Sequence, residues 1–112
     1  MSRWPGLTES IRGLINGLAE GDWLFVARKA PDSPTPVPSM MAALAQYGRT
    51  FVFAPDDLEE YLDIVETGDG MLDVRAPLWT VEEGRSDLEL RLSAHELING
   101  IWKLRVDDIL VA

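Results

Sequence analysis

The sequence predicts an α+β fold in which an N-terminal helix and a short second helix pack on a curved antiparallel β-sheet. Three observations lead to this prediction: a helical stripe of apolar residues near the start, four prolines from residue 31 to residue 38, and alternation of apolar and polar residues after residue 77. The chain has 112 residues and an ordinary globular composition, so residues 1–112 are predicted to form one domain.

The first helix is predicted over residues 8–20. Apolar side chains recur there at the i, i+4, i+7 and i+8 spacing of one helix face, with Thr8 as the candidate N-cap and Gly21 just after the end. Gly13 and Gly17 lie four residues apart inside this helix, and their lack of a side chain would let another segment approach closely. The apolar stripe consists of Leu7, Ile11, Leu14, Ile15 and Leu18.

Shorter elements are predicted between this helix and the sheet. Residues 23–26 are read as a short buried continuation, and the prolines that follow predict a loop. A second helix is predicted over residues 40–47 and ends at Gly48. A short strand over residues 51–53 and an acidic helical turn over residues 56–60 follow.

The C-terminal part of the chain is predicted to form a three-stranded antiparallel meander. A four-residue loop over residues 83–86 joins its first two strands and sets Val81 opposite Leu88. The same register sets Trp79 opposite Leu90. All four side chains then face the core.

The Asn-Gly dipeptide at residues 99–100 is a strong signal of a type I′ hairpin turn, because this turn needs positive φ angles at both residues. It places His95 opposite Leu104 on the core face. Without interruption this register would expose the leucine face of the middle strand, so β-bulges are predicted near residues 93–94 and 107–108, and they also curve the sheet. The expected pairs are Leu92 with Val106, Leu90 with Ile109, Leu88 with Val111 and Leu97 with Trp102.

Acidic residues are concentrated in one segment. The net charge is −9, and no Lys or Arg occurs between Arg49 and Arg75, where eight acidic residues fall. Nucleic acid and anionic membranes require a basic surface, so neither is predicted as a partner, whereas the acidic segment permits a basic protein partner. The alternative is that the acidic segment is a solvated face that keeps the protein soluble and binds no partner. The candidate binding residues are Asp56, Asp57, Glu59, Glu60, Asp63 and Glu66.

No catalytic residue, metal or cofactor is predicted. The chain has no cysteine, and its one histidine, His95, has no Ser or Asp at a spacing typical of a catalytic triad. The segment from Asp69 to Asp73 does not match a calcium-binding loop. A concave sheet lined by aromatic residues would instead offer a small-ligand pocket. Its candidate residues are Trp79, Arg85, His95 and Trp102, with Tyr61 beside them.

Two further predictions concern location and assembly. No stretch approaches the ~20 apolar residues of a membrane-spanning helix, and no apolar run of secretory length opens the chain, so a cytoplasmic protein is predicted. Leu78 is expected on the outer face of the sheet, where its exposure would allow a homodimer to form.

Residues 78–88, with the sequence LWTVEEGRSDL, resemble an uncharacterised bacterial family of unknown function that carries an LWT-x-EEGRSDL motif. The resemblance extends over most of the chain through Gly-Asp at residues 21–22, Tyr-Gly-Arg-Thr at residues 47–50 and Asp-Asp at residues 107–108. It implies no activity, because none is established for that family. A helix followed by a curved sheet is also similar to the nuclear transport factor 2-like and cystatin-like superfamilies, and this similarity concerns the fold alone.

The motif also has a structural interpretation. Gly84 provides the backbone freedom of a tight loop, and Arg85 is expected to lie between Glu82 and Asp87, which would otherwise repel each other across the strands. The leading functional hypothesis is a non-catalytic protein-binding or regulatory domain, of the immunity type, that offers its acidic surface to a basic partner. The alternative is a small-ligand pocket protein of the cone-shaped α+β type, with or without weak catalysis.

Overall fold

The computed structural model describes residues 3–112, and residues 1 and 2 of the predicted domain lie outside the described residues. Helices pack against one antiparallel sheet, which confirms the predicted α+β class. The helices are α1 (Leu7–Glu20), α2 (Trp23–Lys29), α3 (Val37–Tyr47) and a 3₁₀ helix (Leu58–Tyr61). The strands are β1 (Phe51–Val52), β2 (Asp63–Gly68), β3 (Met71–Thr80), β4 (Gly84–Ile98) and β5 (Ile101–Val111).

Helix α1 confirms the first predicted helix and buries the predicted apolar stripe. Its N-cap is Gly6, with a φ of 82°, so the prediction of Thr8 at this position is wrong. At the other end Gly21 adopts a left-handed conformation, as predicted, and its N–H donates to the last carbonyls of the helix. The close approach expected at the two internal glycines is made by Phe25, because a Cβ added to Gly17 would lie 2.9 Å from its Cδ2.

Residues 23–29 form the separate helix α2, so the expected buried continuation of the first helix is wrong. Asp22 caps α2 by accepting a hydrogen bond from the N–H of Phe25, which restarts the helix after the glycine break. Only Val26 is buried in α2, and Leu24 is 73% exposed. Helix α3 confirms the second predicted helix but begins earlier, since Pro38 is tolerated in the first turn.

The sheet has the order β1-β3-β4-β5. Strand β2 also pairs with β3, along the same edge as β1. Strand β1 pairs with the end of β3, and β2 pairs with its beginning. The middle of the outer edge of β5 is covered by the loop before α3, because Thr35 donates its N–H to the carbonyl of Val106. Ser33 in turn accepts the N–H of Val106. Within residues 3–112, no backbone hydrogen bond of this kind covers the outer edge of β2.

The predicted register of the β3–β4 hairpin is wrong. Thr80 pairs with Gly84, which leaves a three-residue loop, and Leu90 lies opposite Ala76. The observed partner of Leu90 lies three residues before the predicted partner Trp79, and because this difference is odd, Leu78 shares the core face with Ala76 while Trp79 and Val81 fall on the opposite face. As a result Val81 is exposed and Leu78, which was expected at the surface, is only 2% exposed. The predicted homodimer surface at Leu78 is therefore absent.

The β4–β5 hairpin confirms the register of the core residues. Leu92 pairs with Val106, Leu90 with Ile109 and Leu88 with Val111, and one bulge falls at Asp107 as predicted. The other bulge lies at Leu97 instead of residues 93–94, directly beside the turn. Glu96 rather than Leu97 thus lies opposite Trp102, and the predicted position of His95 opposite Leu104 on the core face is wrong, because His95 lies opposite Lys103 and is exposed.

The apolar core lies between the helices and one face of the sheet. Its centre is fully buried, with Ile11 and Leu14 of α1 facing Leu90, Leu104 and their neighbours. The other face of the sheet carries mainly charged and polar side chains. This open face and the edge formed by β2 contain the candidate sites.

Candidate functional site

The two acids of the LWTVEEGRSDL motif fasten the β3–β4 loop to the preceding part of the chain. The carboxylate of Glu82 accepts hydrogen bonds from the N–H and the hydroxyl of Thr50, both at 2.9 Å. Glu83 accepts from the Tyr47 hydroxyl at 2.8 Å and from the Thr80 hydroxyl at 3.2 Å. The Tyr47 oxygen also accepts the N–H of Asp87 at 3.1 Å. These motif residues therefore have structural partners.

Arg85 does not fill the role that the sequence predicts for it. Within residues 3–112 its guanidinium has no carboxylate oxygen within 4.0 Å, so it does not screen the acids of its own loop. It lies instead 5.6 Å from the ring centroid of Tyr61, and that ring meets Trp79 edge to face at 5.4 Å. Tyr61 thus holds the guanidinium at the open face while it covers the tryptophan.

Hydrogen bonding and burial shift two pKa values in this region. The hydrogen bond from the Thr50 N–H lowers the pKa of Glu82 below its ordinary value of 4.5. Burial raises the pKa of the Tyr47 hydroxyl above 10.0, and its hydrogen bond to Glu83 acts in the same direction. Glu82 therefore stabilises the fold as a carboxylate.

We expect the contribution of Glu82 to depend on pH. Because its pKa is lower in the folded state, its stabilisation is present above about pH 4.5 and is lost as the pH falls through the folded pKa. Urea denaturation at neutral pH should show Glu82→Gln to be less stable than wild type, with the gap closing in acid. Glu60→Gln is the matched control, because the carboxylate of the exposed Glu60 makes no hydrogen bond or ion pair in the described residues, and its backbone bond to Asp57 survives the substitution. A difference in stability that does not shrink as the pH is lowered progressively from 4.5 would contradict this assignment.

A pocket of ≈ 360 Å³ lies on the open face beside this hairpin. Two arginines, Arg75 and Arg85, and two aspartates, Asp63 and Asp87, line it together. None of the four charged groups makes an ion pair within residues 3–112. Apolar walls and further lining come from Tyr61, Pro77, Leu88, Ser86, Glu89 and Ala112.

The six predicted acidic binding residues are all exposed, and they lie before and within the 3₁₀ helix and on β2. We call them, together with the outer edge of β2, the acidic edge. Arg3 pairs with Glu66. Arg12 reaches the same region but binds backbone: it donates to the carbonyl of Pro55 at 2.7 Å and to that of Asp56 at 3.3 Å. Its guanidinium positions the segment and leaves the neighbouring carboxylates exposed.

The four candidate pocket residues do not share one pocket. Trp79 is buried, as predicted, and the ring that covers it near the β3–β4 loop is that of Tyr61. His95 and Trp102 line a separate depression at the opposite end of the sheet. Trp102 is buried as predicted, and its indole N–H donates to the carbonyl of Pro5 at 2.8 Å.

Sequence reasoning missed β2 as a strand and the pocket residues Arg75 and Asp87. The Gly-Asp-Gly sequence at residues 68–70 is a turn signal between two short apolar runs, and it would have indicated the β2–β3 hairpin. With that hairpin in place, the register sets Asp63 opposite Arg75 and brings both to the open face.

Two features of the described chain bear on other classes of site. Among residues 3–112, no three His, Asp or Glu side chains form a group suited to holding a metal ion. None of the helices in this range has the length and apolar character needed to cross a membrane.

Comparisons with known proteins identify a family without assigning a function. No curated protein matches the chain, and no solved structure matches its fold. A family model described as "Domain of unknown function (DUF7668)" matches residues 15–112, which include α2, α3, the whole sheet and the motif hairpin. Because this match covers most of the chain, the protein belongs to the DUF7668 family of domains of unknown function.

Proposed function

We propose that this protein is a non-catalytic binding domain that takes up a basic, extended segment of a partner protein along the acidic edge. The proposal rests on the outer edge of β2, which has no backbone partner within residues 3–112, whereas the middle of the outer edge of β5 is covered. An uncovered edge strand is a template for an added strand. Acidic side chains beside that edge favour a basic partner.

The surroundings of β2 suit a strand whose side chains alternate in character. On one side of β2 a groove of ≈ 390 Å³ is lined in part by Trp4, Leu7 and Ile64. On the other side the 56% exposed Val65 lies between Asp63 and its cross-strand neighbour Asp73. Successive side chains of an added strand point to opposite faces, so one set would enter the apolar groove and the other would face the aspartates.

A second copy of the chain is a poorer occupant of this edge. Two β2 strands placed side by side would bring Asp63 and Glu66 of each copy close to the same residues of the other. Like charges opposite each other across strands are destabilising. The acids thus protect β2 from self-association while they leave it open to a segment of opposite charge.

The test uses a synthetic peptide of alternating lysine and valine. We expect saturable binding that weakens as salt is raised, and a loss of about tenfold in affinity for the double variant Asp63→Asn/Asp73→Asn. Glu20→Gln on α1 is the control, since it is exposed and removes acidic charge away from the edge. The same peptide with N-methyl groups along one backbone edge keeps its charge but cannot add as a strand on that edge.

The outcomes separate strand addition from general charge attraction. Loss of binding by one of two N-methylated peptides, methylated along opposite edges, supports the proposal if the other peptide, whose methyl groups would face solvent, still binds. Equal binding of both methylated peptides and the unmethylated peptide would rule out pairing with β2. An effect of Glu20→Gln as large as that of the double variant would show that overall charge, and not this edge, attracts the peptide.

A further inference from the structure

We infer that the pocket lined by Arg75, Arg85, Asp63 and Asp87 binds a small zwitterion, an α-amino acid with an apolar side chain. This site lies on the open face of the sheet and goes beyond the proposed function. It rests on the arrangement of four charged groups that share one pocket without pairing with each other.

The unpaired arginines point to a carboxylate. The chain has 19 acidic and 10 basic residues, so two arginines without a carboxylate partner in one pocket are unexpected in a purely solvated surface. Arg75 lies opposite Asp63 on one side, with no ion pair between them, and opposite Arg91 on the other, where the like charge is destabilising. A bound carboxylate would relieve this repulsion and match the planar guanidinium with two parallel hydrogen bonds.

Arg85 is held in place before any ligand arrives. Its guanidinium lies over Tyr61, and Tyr61 packs against the buried Trp79. The backbone N–H of Asp87 is bound to the Tyr47 hydroxyl, which fixes the backbone two residues beyond Arg85. A preformed site loses less conformational entropy on binding.

The two unpaired aspartates select against simple anions. Asp63 and Asp87 line the same pocket as the arginines and would repel a phosphate or a dicarboxylate. An ammonium group on the ligand satisfies them, while Glu89 is already paired with Arg91 at 3.5 Å. Two free cations and two free anions therefore complement a molecule that carries one charge of each sign.

Size and lining indicate an amino acid and not a larger molecule. A volume of ≈ 360 Å³ is near the lower end of the range for ligand pockets. Tyr61, Pro77 and Leu88 provide apolar surface beside the charged groups. An apolar side chain would bury its surface there.

The probe is L-leucine, compared with 3-methylbutylamine, which lacks the carboxylate, and 4-methylpentanoate, which lacks the ammonium group. Titration followed by backbone amide NMR should show saturable shifts at residues 85–87 for leucine. We expect each single-charge analogue to bind at least about tenfold more weakly, as do Arg85→Gln and Asp87→Asn. Arg28→Gln on α2 is the matched control, because this exposed arginine lies outside the pocket.

A spectrum with unchanged dispersion confirms that each variant is folded. The inference is overturned if leucine produces no saturable shift in these residues, if 4-methylpentanoate binds as tightly as leucine, or if Arg85→Gln binds leucine as wild type does. Both substitutions lie outside β2. Binding of the lysine-valine peptide is therefore expected to survive in them, and its loss would count against the edge proposal alone.

Discussion

Replacing Gly6 by alanine is expected to lower the free energy of unfolding by about 3 kcal/mol. Gly6 has a φ of +82°, which L-residues rarely adopt, and an added Cβ would lie 2.2 Å from the carbonyl oxygen of Gly100. That oxygen belongs to the backbone of the β4–β5 turn, so a side-chain rotation cannot relieve the clash. Either the N-terminal segment or the hairpin turn must move.

Gly84→Ala is the matched control for this substitution. Gly84 also has a positive φ, +72°, but nothing lies within 4 Å of its added Cβ. Gly84→Ala should lower the free energy of unfolding by about 1–2 kcal/mol, because only the strain of a positive φ applies to it. Urea denaturation of both variants measures the difference. Equal losses would mean that the N-terminal segment does not lie against the β4–β5 turn in solution.

The expected loss at Gly6 is large because this segment is held at several points. Trp102 donates its indole N–H to the carbonyl of Pro5, and Arg3 pairs with Glu66 on β2. Leu7, the first residue of α1, is almost fully buried. Movement at Gly6 would disturb these contacts together.

The helices were predictable because their signals are local. The apolar stripe of α1 and the glycines that end α1 and α3, Gly21 and Gly48, act within a few residues, and all three features are found as predicted. Helix α2 was missed because its apolar residues are mostly exposed. Its Asp22 cap and the glycine before it were the available signals.

The cross-strand pairs of the buried leucines could be predicted from the sequence, whereas the residues of the turns and of the bulge beside the β4–β5 turn could not. Burial of Leu88, Leu90 and Leu92 decides the β4–β5 register, so any bulge that restores these pairs satisfies the pattern. The bulge at Leu97 lies beside a local contact, the hydrogen bond from the Gly100 N–H to the Glu96 carboxylate, and the periodicity of apolar residues does not reveal such a contact. A shift of a few residues in that position moved His95 from the core face to the exposed face.

The candidate sites were predictable only in part. The acidic residues were found because composition alone marks them. Strand β2 was missed because almost all of its residues are exposed, so it has no buried face, and only its pairing with β3 defines it. The motif marked Arg85, but its partner Tyr61 is distant in sequence. Only the packing of the 3₁₀ helix on the sheet brings the two together.

That packing depends on Leu58, and Leu58→Ala is expected to lower the free energy of unfolding by about 2–5 kcal/mol. Leu58 is 0% exposed and is the buried residue of the 3₁₀ helix. Its removal would leave a cavity between this helix and the core. Leu24→Ala is the control, since Leu24 is 73% exposed and its truncation should change stability by less than about 0.5 kcal/mol.

The same substitution tests how the 3₁₀ helix supports both proposed sites. Arg12 still holds the backbone carbonyl of Pro55 in the variant, so the segment stays attached at its start while Tyr61 at its end loses its anchor. Hydrogen exchange should therefore accelerate over residues 58–64 more than in β4. Leucine binding should weaken, because Tyr61 no longer fixes Arg85. A uniform acceleration over the whole chain would instead show that Leu58 supports the core as one unit, and that neither site depends on it separately.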